Sequence, residues 1–329
     1  MAGHVRAAVL RACGTPPEPG DVELPARGPR QALVAVTAAP ITPLDVLCGT
    51  GTSYFGAPTT PYVPGVQGVG TVVESDLHAP GTRVWFPTDA GMAPGDGSMA
   101  EQCLVADADL MPLPGGVDDE QVAALGLSAV AAWGALTRTA RLVPGEQVLV
   151  LGGGGIVGQV AIQAARLLGA RRVVAAARSA AARRRAAGAG PDAVVPIESD
   201  DDVATLAERL REACDGGVDV VVDPLFGVPA SAASTLLAPH GRLVNLGGSA
   251  GDAATFRSSL LRSKPAAVLG YTNNDVPVAE KRAILAEVLR HASAGQIGVE
   301  FEAARLADVA TAWAAQADGS TSARVVLTP

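Results

Sequence analysis

At 329 residues and a formal net charge of −8, the chain is long enough for about two domains and too acidic for a general nucleic-acid binder, whose surface must neutralise phosphate. Hydrophobic residues make up 48% of it and aromatics only 3%, so its core is expected to consist of Ala, Val and Leu with close backbone approach. Cys13, Cys48, Cys103 and Cys214 form no Cys-x-x-Cys pair, no uninterrupted apolar run approaches the ~20 residues of a membrane span, and the N-terminal apolar stretch is too short for a signal peptide. The expectation is a reduced, cytoplasmic protein without a disulfide framework, bound neither to membrane nor to nucleic acid.

In chain order, residues 1–118 read as β-rich. Short β-branched runs at 32–36, 69–74, 83–86 and 101–105 alternate with Gly and Pro clusters. The segments 40–45, 49–64 and 90–98 read as loops over a cleft. The grammar changes at Asp118 and Asp119, which are expected to cap an Ala-rich helix from about Glu120 towards Arg138. Strands and helices then alternate. Strands are expected at 147–151, 173–177, 193–195, 218–222, 242–246 and 266–270, and helices near 156–168, 203–214 and 230–238. Continuous apolar runs such as Val148-Leu149-Val150-Leu151 suit strands covered on both faces. The pattern predicts an α/β fold with a doubly wound parallel sheet. A helix at 279–294 closes that unit. The tail carries a helix near 306–315 and a strand at 324–327, placed back against the first unit. The expected division is a β-rich domain at 1–118, completed by 296–329, and a doubly wound domain at 119–295.

Gly152-Gly153-Gly154-Gly155-Ile156-Val157-Gly158 directly follows the 147–151 strand and opens the next helix. It fits Gly-x-Gly-x-x-Gly as Gly153, Gly155 and Gly158, and Gly-x-x-Gly-x-x-Gly as Gly152, Gly155 and Gly158. Glycines in this context permit a tight turn, backbone approach to a pyrophosphate and close helix–strand packing, with Ile156 and Val157 at the helix N-terminus. The next strand ends Ala177-Arg178-Ser179, without the carboxylate that would bind the ribose 2′-OH of NAD. Arg178 and Ser179 are read instead as partners of a 2′-phosphate, so the expected cofactor is NADPH. The 183–185 run reads either as further positive charge, Arg183 first, or as a solvated helix face. Leu246, Gly247 and Ser249 end a later strand at the same crevice. Asn273 and Asn274 are candidates for the carboxamide.

The segments ITPLDVLCGTG, PYVPGVQGVGTVV, SAVAAWGAL, LVPGEQVLVLGGGGIVGQVAIQAARLLGA, GVDVVVDPLFG and LAPHGRLVNLGGSAG carry a wider likeness. With them, the chain resembles the medium-chain dehydrogenase/reductase superfamily and, more narrowly, its zinc-free quinone oxidoreductase (zeta-crystallin-like) branch. The resemblance implies a GroES-like β-rich catalytic domain plus a Rossmann cofactor domain. Thr42 and Val66 stand where zinc-dependent relatives carry Cys and His, and neither supplies a zinc ligand. Tyr54 is implied as proton donor, and Ser128 as a hydroxyl beside the nicotinamide. Thr42 reads as a partner of the nicotinamide ribose or substrate, or as a strand-end residue. Asp45 is expected to cap the following helix. Arg324 replaces the family's usual Lys and reads as neutralising cofactor phosphate or as a surface ion pair. Gln67 replaces a frequent Glu, and Ile197 a Tyr found in some members.

Without a Lewis acid, hydride addition to a conjugated acceptor is favoured over alcohol oxidation, because charge spreads onto a remote oxygen. The resulting expectation is a metal-free, NADPH-dependent reductase of a quinone or other conjugated carbonyl. The alternatives are an enoyl reductase for an α,β-unsaturated ketone or polyketide intermediate, and a catalytically weak NADPH-binding protein of the crystallin kind. The 266–270 strand is expected at a sheet edge, pairing with its copy in a homodimer.

Overall fold

A computed structural model describes residues 3–321 and 323–329. The chain divides into two units, Met1–Gly126 with Glu300–Pro329, and Leu127–Val299. The boundary falls inside the Ala-rich helix rather than at residue 118.

The first unit is built on a seven-stranded sheet. Phe301–Arg305, Arg324–Thr328, Gln31–Pro40, Gln67–Glu74, Arg83–Pro87 and Met111–Pro112 are neighbours in that order, and Gln102–Ala106 also pairs with Gln31–Pro40. The Gln31–Pro40 strand alternates half-buried and buried residues because one face meets the core. Val34, Ile41, Phe86 and Met99 lie in that core with Trp313 of the C-terminal helix Val309–Asp318. A Cβ on Gly49 would lie 2.8 Å from the Trp313 ring, so a side chain there would displace that helix. The tail thus completes this unit, as the sequence predicts. The strands Gly3–Val9 and Glu18–Leu24 form a separate antiparallel pair that the sequence reading missed.

The second unit is a six-stranded parallel sheet. Its order is Ala193–Pro196, Arg172–Ala177, Gln147–Leu151, Val218–Asp223, Leu237–Asn245, Ala267–Gly270. The chain steps outward from Gln147–Leu151 and returns to lay Val218–Asp223 on its other side. The strand order therefore reverses between these two, with Val148 opposite Val220 and Val150 opposite Val222. Ligands of open α/β sheets bind at the carboxyl ends of strands at such a switch point. Ala267–Gly270 is an edge strand, as expected.

The expected continuous helix over 120–138 is interrupted. The helix Asp119–Gly134 breaks at Gly126, whose φ is 30°, and continues as a π-helical turn at Ala135–Thr139. A Cβ on Gly126 would stand 2.0 Å from Gln67 Oε1, so Gln67 occupies the space a side chain would need. Asp119 does not cap this helix, because its carboxylate accepts from Thr37 Oγ1 at 2.6 Å and Arg83 Nε at 2.9 Å. The 21-residue stretch Asp119–Thr139 has the length and apolarity of a membrane span, although no uninterrupted apolar run in it is that long. With 67% of its most apolar window buried inside the protein, that apolarity belongs to a core helix.

Candidate functional site

The glycine turn lies at the carboxyl end of Gln147–Leu151 and runs into the helix Ile156–Leu167. Its glycines do different things. Gly152 has a φ of 65°, which favours a residue without Cβ. A Cβ on Gly158 would lie 2.3 Å from the Gly152 carbonyl oxygen, so the helix can approach only if that position is bare. Gly153 is packed against Ala175, and its N–H bonds the Ala176 carbonyl. Gly155 is the N-cap, with extended backbone and an open Cβ direction whose one near atom is the Gly152 oxygen at 3.5 Å. The spacing Gly152, Gly155, Gly158 is thus the one the geometry uses, with Gly153 and Gly154 filling tight packing positions. A bare surface at Gly155, beside the helix-start N–H groups of Ile156 and Val157, fits an anion cradle.

Arg172–Ala177 ends beside this turn. Arg178 and Ser179 are exposed. Ser179 caps the helix Ala180–Gly188, its Oγ accepting from Ala182 N at 3.1 Å. Arg183 is half-buried and donates to the Arg178 carbonyl at 2.5 Å, with Glu198 at 3.9 Å. The 183–185 run is solvated only in part: Arg184 is exposed, but Arg185 is buried and donates from Nε to the Gly154 carbonyl at 2.9 Å.

Asp223 ends the neighbouring switch strand, fully buried, and accepts from Leu225 N at 3.0 Å and Phe226 N at 2.8 Å. Burial pushes its carboxyl above the usual range, and these bonds with Asn245 oppose the rise. Leu246 N bonds the Asp223 carbonyl, and Ser249 Oγ donates to the Pro224 carbonyl at 3.2 Å. A Cβ on Gly247 would meet that Pro224 oxygen at 2.9 Å, so the two loops are tightly joined. Asn273 is engaged rather than free for a carboxamide. Its Nδ2 donates to Leu127 O at 2.8 Å, and its Oδ1 accepts from Tyr271 at 3.0 Å. Asn274 is exposed, and Ser128 is half-buried on the helix beyond the Gly126 break.

In the first unit, Thr42 is the N-cap of the helix Pro43–Thr50 and forms a capping box with Asp45. Thr42 Oγ1 donates to Asp45 Oδ2 at 2.7 Å, so its proton is committed and it can only accept from a ligand. The segment 40–45 is therefore a strand end and helix start, not a loop over a cleft. Asp45 also accepts from Gly65 N at 3.0 Å and Val66 N at 2.9 Å, so one buried carboxylate ties positions 42 and 66. Burial raises its pKa, opposed by the Thr42 and Val66 bonds and by Arg324. Arg324 is no surface residue. Burial lowers its pKa to about 10 while the Asp45 charge opposes the fall, so in place of the expected surface ion pair there is a buried guanidinium that feels the Asp45 charge. Gln67 is buried and accepts from Trp85 Nε1 at 3.0 Å while donating to Ala123 O at 3.4 Å. That pair of bonds needs an amide, since a carboxylate cannot donate.

Tyr54 is 75% exposed, its ring 4.2 Å from that of Phe55. Of the three tyrosines, Tyr62 and Tyr271 are held above the ordinary phenol pKa by burial, Tyr271 at about 12. A zinc centre does not fit positions 42 and 66, which offer a hydroxyl committed to Asp45 and an isopropyl group. Among the described residues no three His, Cys, Asp or Glu side chains gather where a metal could be held.

Residues 157–290 match the family model described as zinc-binding dehydrogenase, and residues 28–115 match the alcohol dehydrogenase GroES-like domain. A quinone oxidoreductase of Rattus norvegicus is 33% identical over 234 residues, which cover 69% of this chain and 67% of that protein. The chain belongs to the medium-chain dehydrogenase/reductase superfamily, in its quinone oxidoreductase-like branch. As a member of that superfamily it is an oxidoreductase, and the superfamily fold supports a nicotinamide cofactor. A phenolphthiocerol/phthiocerol polyketide synthase polypeptide of Mycobacterium tuberculosis is 31% identical over 311 residues, 90% of this chain but 13% of that polypeptide. This medium-chain reductase chain thus spans about an eighth of that relative. A solved structure of an NAD-dependent alcohol dehydrogenase superposes with a TM-score of 0.85 at 27% identity, covering 98% of this chain and 99% of that one.

Sequence reasoning missed the burial of Arg185, the role of Asp223 and the tie of Asp45 to Gly65 and Val66. Asp223 carried a signal, an acid ending an apolar strand run. Arg185 carried none, since its burial follows from how one helix lies on the turn.

Proposed function

We propose that the chain is an NADPH-dependent reductase that works without a metal and adds hydride to a quinone or other conjugated carbonyl. The observation that carries the cofactor choice is the exposed Arg178 at the end of Arg172–Ala177, with no carboxylate at Ala177, Arg178 or Ser179. A carboxylate there would bind a ribose 2′-OH and repel a 2′-phosphate. Arg178, with Ser179 and Arg183 beside it, would hold the phosphate by charge-assisted bonds. Gly155, Ile156 and Val157 would hold the pyrophosphate, with Gly152 shaping the turn and Gly158 letting the helix approach it. Leu246, Gly247, Ser249 and Ser128 remain assigned to the crevice.

The bound nicotinamide supplies the hydride. The chain would supply a proton to the acceptor. Tyr54 is the proposed donor, because its hydroxyl has no partner among the described residues while Tyr271 donates to Asn273. Thr42 is an acceptor toward the ligand. The likeness to a polyketide synthase segment favours a second reading, reduction of the C=C bond of an enone or polyketide intermediate.

Titration with NADPH and NADH tests the cofactor assignment. NADPH should bind more tightly, and Arg178→Ala should weaken NADPH about ten- to a hundredfold while sparing NADH. Equal binding of both by the unaltered protein would refute the assignment. An equal loss of both in the variant would move Arg178 to the pyrophosphate or to the fold.

A further inference from the structure

Arg185 lies on Ala180–Gly188 yet is buried. Its Nε donates to the Gly154 carbonyl at 2.9 Å, and Gln159 Nε2, from Ile156–Leu167, donates to the same oxygen at 3.1 Å. One carbonyl of the glycine turn is therefore held from two helices. The helix also rests on the turn, since a Cβ on Gly154 would stand 2.5 Å from Ala182 Cα and 2.3 Å from its carbonyl oxygen.

We propose that Arg185 is a positioning residue for dinucleotide binding, fixing through its Nε–H bond to Gly154 the orientation of the turn that receives the pyrophosphate. The proposal deepens the dinucleotide reading above and rests on it. Glycine peptides rotate with little steric restraint. A rotation that turned a carbonyl oxygen outward would present a partial negative charge to a phosphate. Drawing the Gly154 oxygen inward removes that option and leaves the helix-start N–H groups in place. Arginine suits the task because its Nε–H is always a donor and never an acceptor.

Three substitutions separate a directed bond from a buried charge and from packing. Arg185→Met keeps an unbranched side chain without a donor. Arg185→Gln removes the charge but places its amide nitrogen the same number of bonds from Cα as arginine Nε. Arg185→Lys keeps the charge and moves the donor one bond further out. Calorimetric titration of each folded variant with NADPH, NADH and ADP-ribose, beside ligand-free melting curves, reads the outcome. The Met variant should bind all three about tenfold more weakly, with the NADPH-to-NADH ratio unchanged because this bond does not hold the 2′-phosphate. The Gln variant should stay within about threefold of the parent and bind better than Lys. Parent-like binding by the Met variant, whatever its melting temperature, would reduce Arg185 to packing. Equal loss in Met and Gln, or Lys binding better than Gln, would make it a charge and overturn the proposal. Loss confined to NADPH would make it a 2′-phosphate ligand and overturn it as well. If the Met variant does not fold, the order of Gln and Lys decides. Failure of the unaltered protein to bind any of the three ligands would sink the dinucleotide reading itself.

Discussion

Gly155 and Gly158 stand one helical turn apart and are bare for opposite reasons. At Gly158 a methyl group would enter the fold, 2.3 Å from the Gly152 oxygen. At Gly155 it would enter the open space over the turn. Gly155→Ala should therefore leave the fold nearly intact, costing about 1 kcal/mol or less as an N-cap change, while weakening dinucleotide binding on the order of tenfold. Gly158→Ala should cost about 2 kcal/mol or more in stability, as overpacking does. Thermal melts beside titrations check both, and equal behaviour of the two variants would contradict the division of roles. Tyr54→Phe should lower turnover about tenfold or more with little change in NADPH affinity, since a positioned acid contributes to the transition state. Steady-state kinetics with parallel titration checks this, and unchanged turnover would return Tyr54 to a loop aromatic with solvent as proton source. The glycines were legible because they sit in a strand–turn–helix context that few sequences share. The capping role of Thr42 and Asp45 is local and could be read from their spacing, whereas the bonds of Asp45 to Gly65 and Val66 and of Asn273 to Leu127 could not, because those partners lie in segments distant in sequence.

The elements of the second unit are held at the base of the sheet as well as at the crevice. Arg242, where Leu237–Asn245 begins to pair with Ala267–Gly270, grips Glu146 with Nη1 at 2.7 Å and Nη2 at 2.9 Å and also bonds the Ala140 carbonyl. This joins the π-helical turn to the sheet that carries the glycine turn. Burial alone would raise the Glu146 carboxyl, but Arg242 and the Val143 N–H outweigh it and the net shift is downward. A depressed folded-state pKa means stability that is present above the unfolded pKa and lost as pH falls through the folded one. Glu146→Gln should therefore cost about 2 kcal/mol near neutral pH, and that cost should shrink in acid. Denaturant melts at neutral pH and at a pH below the carboxylate range check this, and a cost independent of pH would contradict the ion pair. Strand and helix types in this unit were legible because buried parallel strands read as unbroken apolar runs. The break at Gly126 was not, because an Ala-rich pattern continues across it and only Gln67, far back in the chain, shows why no side chain fits.

For the whole molecule, the Ala267–Gly270 edge leads to a proposed homodimer. A half-buried apolar edge with unpaired backbone groups is a template for its own copy. Sedimentation at micromolar concentration should show twice the 33.0 kDa chain mass, and a monomer would contradict the proposal. The layout of both units was largely legible in the sequence, including the return of the tail to the first unit. The Gly3–Val9 strand pair was not, since its second strand, Glu18–Leu24, has no buried residue and its Pro, Gly and acidic residues give no hydrophobic alternation. The central claim is that a hydride passes from NADPH to a conjugated carbonyl without metal assistance. It is tested most directly by NADPH oxidation against parallel panels of quinones and enones, with and without a strong zinc chelator. Turnover with members of at least one panel is expected, undiminished by the chelator. Loss of that turnover on chelation, or NADPH that binds and is never oxidised by either panel, would contradict it.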